Sequence, residues 1–333
     1  MDTPLTLSRT VTPTALGLTE TRTDGPGITR CRRGKGWSFH QPDGQIVSEA
    51  HARRCRRLAI PPNWKNVWIA RSPSAHIQAF GEDDAGRRQY IYHPDWIEGR
   101  DAHKFDCLVN FSENLPRVRA RIKRILRSSE DTELIALAAI VKLLDEGALR
   151  IGSPRYAQSS GALGATTLRA SNITLGAEVI EIDFIGKGGK PRHVELQDQD
   201  LHDALEQVMD LEGPHLFDLP SRTITPTLVN DFLHDLFNDR YTAKHFRTWA
   251  GSVAAARVYR RSTETPPSLK ALCEAASTRL GNTPAIAKAS YIHPTILDSA
   301  REKILYAPED FISGPPRLRV DERACHGIIT RDK

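Results

Sequence analysis

Ile180-Glu181-Ile182-Asp183-Phe184-Ile185-Gly186-Lys187-Gly188-Gly189-Lys190-Pro191-Arg192-His193-Val194-Glu195-Leu196 holds the sharpest change of pattern in the chain. Ile180, Ile182 and Phe184 alternate with Glu181 and Asp183, the period-two spacing of a strand with one face covered and one exposed. Gly186–Lys190 supplies a tight reversal, and residues 191–196 return as the next strand. The glycines superficially resemble a phosphate loop. The spacing Gly-x-x-x-x-Gly-Lys-Ser/Thr is absent, however, and Pro191 forbids an immediate helix interior. A hairpin with Lys187 at its tip fits better. With a strand over roughly 166–175 before the one at 178–185, the segment becomes a three-stranded insertion.

On both sides of it the period is helical. Residues 131–148 are apolar enough for a core helix, and helices dominate again from 198 to about 306. Residues 112–128 set Val118, Ile122, Ile125 and Leu126 on one face. Arg117, Arg119, Arg121, Lys123, Arg124 and Arg127 cover the rest, as either a solvated face or a phosphate-binding one. From Gly25 to about Arg100 the signals are those of short strands with one or two helices. A turn at Pro42-Asp43-Gly44 follows Trp37–Phe39, a helix fits 47–58, and Ile77–Phe80 with Arg88–Tyr92 reads as a hairpin. The expected fold is therefore α+β: a small N-terminal β-rich domain and a larger, mainly α-helical domain with a three-stranded β insertion. Residues 1–25 are expected as a flexible tail, 26–104 as the small domain, 105–313 as the larger domain and 314–333 as a polar, irregular tail.

The 333 residues are 39% hydrophobic and 26% charged, which places the chain among globular proteins. No apolar run approaches the ~18 residues a spanning helix needs, and the first twenty residues lack the basic start and apolar block of a secretion signal. Cys31, Cys55, Cys107, Cys273 and Cys325 are scattered and odd in number, which argues against a disulfide framework or zinc site and for a reducing, cytoplasmic setting. Residues 1–105 carry sixteen Lys and Arg against eleven Asp and Glu, whereas the remainder carries thirty of each. A basic N-terminal region beside a balanced one suggests a polyanionic partner, most simply nucleic acid.

Four positions suit phosphodiester chemistry: Arg150, just past a helix ending near Gly147; Lys187, at the hairpin tip; Arg247, in Lys244-His245-Phe246-Arg247-Thr248-Trp249; and Tyr291, closing Gly281-Asn282-Thr283-Pro284-Ala285-Ile286-Ala287-Lys288-Ala289-Ser290-Tyr291. Thr283 is a natural N-cap, Pro284 fits the first helical position and Pro294 ends the helix, so Tyr291 falls in the last turn of a short, weakly anchored element. Each residue singly also fits a structural role: a paired arginine, an exposed lysine, a half-buried tyrosine. Periodicity does not bring the four together.

The set becomes informative through its order and local contexts. From about Gly25 to Ala307 the sequence resembles the poxvirus-type and bacterial type IB DNA topoisomerases, a branch of the fold shared with tyrosine recombinases. Gly186-Lys187, Lys244-x-x-Arg247-Thr248 and Gly281-x-Thr283-Pro284-x-Ile286-x-Lys288-x-x-Tyr291 carry the likeness. The resemblance implies Tyr291 as nucleophile, Arg150 and Arg247 as transition-state stabilisers and Lys187 as general acid. Asn282 stands where the poxvirus enzymes have histidine, and implies a neutral hydrogen bond to the phosphate. The implied enzyme is a monomer acting on double-stranded DNA, with no cofactor or metal, no membrane and no obligatory protein partner.

Gly86-Arg87-Arg88-Gln89-Tyr90-Ile91-Tyr92 resembles the family's major-groove segment, which makes Arg87, Arg88, Gln89, Tyr90 and Tyr92 candidate DNA contacts. Alternation of Tyr90 and Tyr92 also fits the paving of one strand face. Two other functions share the pattern: a site-specific tyrosine recombinase or integrase, and a DNA-binding relative without activity. The recombinase usually has His-x-x-Arg where this chain has Lys244-x-x-Arg247.

Overall fold

The computed structural model describes residues 11–209, 213–220, 222–312 and 314–331. They divide into two compact units, with the change at Lys104/Phe105. The first holds β1 (Ile28–Arg33), β2 (Gly36–His40), α1 (Glu49–Arg57), β3 (Lys65–Ile69), β4 (Ile77–Glu82) and β5 (Arg88–Tyr92). Its five-stranded antiparallel sheet runs β2-β1-β3-β4-β5. Ile28, Phe39, Val67, Ile69 and Ala79 form a core with Ala52 and Cys55 of α1. Ser48 caps that helix by accepting from the His51 N–H.

The stretch expected as a flexible tail behaves differently in its described part. Residues 14–16 make a 3₁₀ turn, Leu18 is buried, and Thr19 bonds across to Ser74 and His76. Residues 1–10 lie outside the described residues.

The helix α2 (Pro94–Ser128) begins well before the expected residue 112. Gly99 and Pro116 inside it mask its continuity in the sequence, since both are poor interior residues. Then follow α3 (Thr132–Glu146), α4 (Pro154–Ser160), β6 (Ile173–Leu175), β7 (Ile180–Gly186), β8 (Lys190–Leu196), α5 (Gln199–Met209), α6 (Pro226–Phe237), α7 (Ala243–Arg261), α8 (Leu269–Leu280), α9 (Pro284–Ser290), α10 (Pro294–Arg301) and α11 (Val320–Thr330).

The second sheet is antiparallel, in the order β6-β7-β8. On β7, Ile180, Ile182 and Phe184 are buried and Glu181, Asp183 and Ile185 exposed, in keeping with the alternation. The first strand is shorter than expected. Residues 165–167 and 170–172 are 3₁₀ turns, because the Thr167 hydroxyl bonds Gly164 at 3.0 and 3.2 Å and Thr166 donates to the Ile151 carbonyl at 2.9 Å. These side-chain bonds compete with a ladder.

The helical core gathers around Phe111, whose ring meets Phe237 and Phe246 at 5.1 Å and Tyr241 at 5.3 Å. Burying each such ring contributes about 1.5–3 kcal/mol.

The basic face of 112–128 is partly turned inward. Arg119 is bidentate to both Asp145 and Glu322, Arg117 donates to the Phe237 carbonyl, and Arg127 pairs with Asp200. Glu322 belongs to α11, in the stretch expected to be irregular. That helix forms because Ala324, Cys325, Ile328 and Ile329 reach the core while Glu322 and His326 find buried partners, a pattern hidden by their polarity. No helix among the described residues is long and apolar enough to cross a membrane.

Candidate active site

Arg247 is the most deeply placed of the expected site residues. It lies one turn into α7 and is only 4% exposed. Its guanidinium donates to the Ala148 carbonyl and, at 3.1 Å, to that of Leu280, while its buried Nε has no partner among the described residues. One side chain thus ties the end of α3 to the end of α8. The Leu280 carbonyl ends α8, so it carries partial negative charge and lacks an intrahelical donor, whereas Ala148 lies just past the α3 cap.

Arg150 follows directly from the Ala148 anchor. The chain leaves α3 through Gly147, passes left-handed at Ala148 (φ 50°) and buries Leu149. It is then held by Ala165 N–H bonding the Arg150 carbonyl and Thr166 N–H bonding that of Ile151, both at 2.8 Å. The Arg150 side chain is half-buried.

Tyr291 caps the C-terminus of α9. At the other end Thr283 accepts from the Ile286 N–H at 3.3 Å, with Pro284 beginning the helix. The expected weak anchoring does not hold. Ser252 of α7 donates to the Tyr291 carbonyl at 3.2 Å and accepts from the His293 N–H at 3.0 Å, while Ile292 is fully buried. Gly251 makes this approach possible, since a Cβ there would lie 2.6 Å from the Tyr291 carbonyl oxygen.

The Tyr291 ring sits 5.3 Å from the Arg247 guanidinium carbon. Burial pushes its phenol up, but the charges of Arg247, Arg150 and Lys244 outweigh that and hold it below its ordinary 10.0. Burial, then Arg150, lowers Arg247 in turn.

Asn282 stands two residues beyond the Leu280 carbonyl that Arg247 holds. Its backbone is fixed to Ser277, but among the described residues both atoms of its buried side-chain amide have no partner. An amide offering two donors and an acceptor to nothing carries a desolvation cost that a bound ligand relieves.

Lys187 stands apart from the other four. It is exposed in the three-residue loop between β7 and β8, where Gly188 and Gly189 both have positive φ. The strongest charges acting on Tyr291 are those of Arg247, Arg150 and Lys244, and Lys187 is outside that set. The structure thus brings Arg150, Arg247, Asn282 and Tyr291 into one region and leaves the lysine on a solvent-facing tip.

Arg192 escaped the sequence reading. It is half-buried on β8 and donates to the Arg279 carbonyl at 3.4 Å. The signal was present: Val194 and Leu196 are buried, so period-two alternation puts residue 192 on the same inner face.

In the N-terminal unit, Tyr90 and Tyr92 stack at 5.9 Å on the sheet face opposite α1. They stand beside Phe80 and Trp68, and Arg88 lies over Phe80 at 4.6 Å. Arg87 and Gln89 both donate to Asp83 at 2.9 Å. The Arg87 hydrogen bonds hold the Asp83 carboxyl down to about 2. Two of the five candidate contacts are therefore engaged with one carboxylate.

Residues 93–310 match the family described as the catalytic core of eukaryotic DNA topoisomerase I. The chain belongs to the type IB DNA topoisomerase family. Residues 36–83 match the N-terminal domain of bacterial DNA topoisomerase IB. DNA topoisomerase 1B of Acanthamoeba polyphaga mimivirus is 26% identical over 285 residues, covering 80% of this chain and 85% of that one. DNA topoisomerase 1B of Vaccinia virus (strain Copenhagen) is 25% identical over 233 residues, 67% of this chain and 72% of its own. DNA topoisomerase 1 of Candidozyma auris is 28% identical over 157 residues, 46% of this chain and 20% of its own. Membership of this family sets aside the site-specific recombinase reading.

Proposed function

We propose that this enzyme relaxes supercoiled duplex DNA by transiently cutting one strand through Tyr291. The phenol oxygen attacks a backbone phosphorus, a P–O bond forms to tyrosine, and the bond to the 5′-oxygen breaks. Negative charge builds on the non-bridging oxygens as the phosphorus becomes pentacoordinate. Arg150 and Arg247 are suited to hold that charge through their planar, multi-donor forks. Asn282 adds a neutral donor. The departing 5′-oxygen takes a proton from Lys187 as general acid, and the phenol proton passes to solvent.

The 3′-phosphotyrosine linkage conserves the ester, so the free 5′-hydroxyl can attack it and restore the strand after rotation. ATP and a metal ion have no step to perform in this scheme. Lys187 acts only once DNA brings the hairpin tip to the leaving group. In the N-terminal unit, Arg88, Tyr90 and Tyr92 meet the duplex directly, joined by Arg87 and Gln89 when phosphates or bases compete with Asp83. The enzyme works as a monomer in the cytoplasm, with DNA as its macromolecular partner.

The observation that carries this reading is the placement of Tyr291 beside Arg247 with its phenol held low by three cations. The test is relaxation of plasmid in chelator without ATP. The wild-type protein is expected to relax it and Tyr291→Phe to leave it supercoiled. Dependence on Mg²⁺ or ATP, or activity in the Phe variant, contradicts the reading.

A further inference from the structure

Arg192 has no place in the scheme above, yet it lies among the residues that do. Its guanidinium lies against Gly281, where a Cβ would fall 2.2 Å from Nη1, and Gly281 is left-handed at φ 58°. The next residue is Asn282, with its buried, unpartnered amide. Burial lowers the Arg192 guanidinium, and Arg150 lowers it further, while Arg192 in turn acts on Arg247. Three arginines, 150, 192 and 247, thus crowd one another, and among the described residues none has a carboxylate at ion-pair distance. Half-buried like charges left uncompensated are costly. A cluster of this kind is built to receive an anion. Its Nη2 reaches a carbonyl only at 3.4 Å, so most of its donor fork remains available.

We infer that Arg192 is a third arginine of the phosphate site, donating to a non-bridging oxygen of the scissile phosphodiester beside Asn282. The inference rests on the proposed strand-cutting reaction. Asn282 can donate a hydrogen bond but carries no charge, and Arg192 places a permanent charge next to it. The fork arrives on β8, the strand that also begins at the Lys187 loop. Binding of one phosphate therefore draws together the hairpin, the end of α8 and the start of α9.

The test compares single-turnover cleavage of two duplexes, one with an ordinary scissile phosphodiester and one with a neutral methylphosphonate there. Arg192→Ala is expected to slow cleavage of the ordinary duplex by about 100-fold, the usual size for loss of one transition-state donor. On the methylphosphonate duplex the loss is expected to shrink to less than about threefold, because the methyl group removes one non-bridging oxygen and the charge it carries. Arg192→Lys keeps a charge on the same strand and is expected to recover part of the rate. Equal losses on both duplexes, or no recovery by lysine in a variant whose melting is unchanged, overturn the inference in favour of a purely structural clamp. Failure of the wild-type protein to cleave either duplex contradicts the strand-cutting reaction itself, and is read separately from Arg192.

Discussion

The arginine corner and the lysine tip of the catalytic unit are built on opposite terms. Arg247 is buried and bonded to two backbone carbonyls, one just past α3 and one ending α8. Lys187 is exposed on a loop whose glycines Gly188 and Gly189 have positive φ. Stabilising a developing charge requires donors fixed before the reaction, since reorganising them costs much of what they would contribute. Delivering a proton requires only reach at the right moment. In the proposed mechanism the corner is therefore prepared in the free protein, and the tip acts when the duplex arrives.

Removing the corner is expected to have the larger effect. Arg247→Lys keeps a charge in the pocket but cannot serve both carbonyls and a phosphate with one ammonium. Single-turnover cleavage should fall by about 10²–10³-fold, measured as covalent complex against time. A loss below tenfold would mean that the buried arginine is mainly a structural tie. Lys187→Ala should cost a similar or slightly smaller factor, about 10²-fold, the lower end for a general acid. Replacing the 5′ leaving oxygen by sulfur, which departs without a proton, should restore Lys187→Ala and leave Arg247→Lys impaired. Restoration of both or neither would erase the distinction between corner and tip.

Much of this was legible in the chain. The alternation at Ile180, Ile182 and Phe184 fixes the β insertion, and Thr283-Pro284 fixes the start of α9, because both rest on local backbone chemistry. Four site residues came from their contexts in the resemblance, and periodicity had no means of joining them. The anchoring of Tyr291 was not legible, for it depends on Gly251 and Ser252, forty residues earlier in sequence. Helix α11 was missed for a related reason. Glu322 reads as a solvent residue until Arg119 and Asp145, on two other helices, are placed beside it.

That buried cluster provides a stability counterpart to the corner. The Asp145 and Glu322 side chains are 8% and 6% exposed, so Arg119→Ala leaves two carboxylates uncompensated. The catalytic unit should lose about 3–5 kcal/mol in denaturant unfolding at neutral pH. Burial pushes the Asp145 carboxyl up, but Arg119 more than offsets it and holds the group below its ordinary value. Its contribution is therefore complete above the unfolded carboxylate range and is lost as pH falls through the folded value. The difference between wild type and Arg119→Ala should narrow on acidification, and a constant difference would assign the loss to packing alone.

The smallest effect is expected in the N-terminal unit. Asp83→Asn removes the carboxylate that engages Arg87 and Gln89. DNA affinity should rise a few-fold and its salt dependence steepen by about one phosphate's worth. An unchanged slope would mean that Arg87 does not reach the backbone.

The most direct measurement of the central claim is the chemical identity of the protein–DNA link. Cleavage complexes trapped on a labelled duplex, digested and sequenced by mass spectrometry, should carry the 3′-phosphoryl end of the cut strand on the phenol oxygen of Tyr291. A link at any other residue, at a 5′ end, or no covalent link during active relaxation would contradict the account.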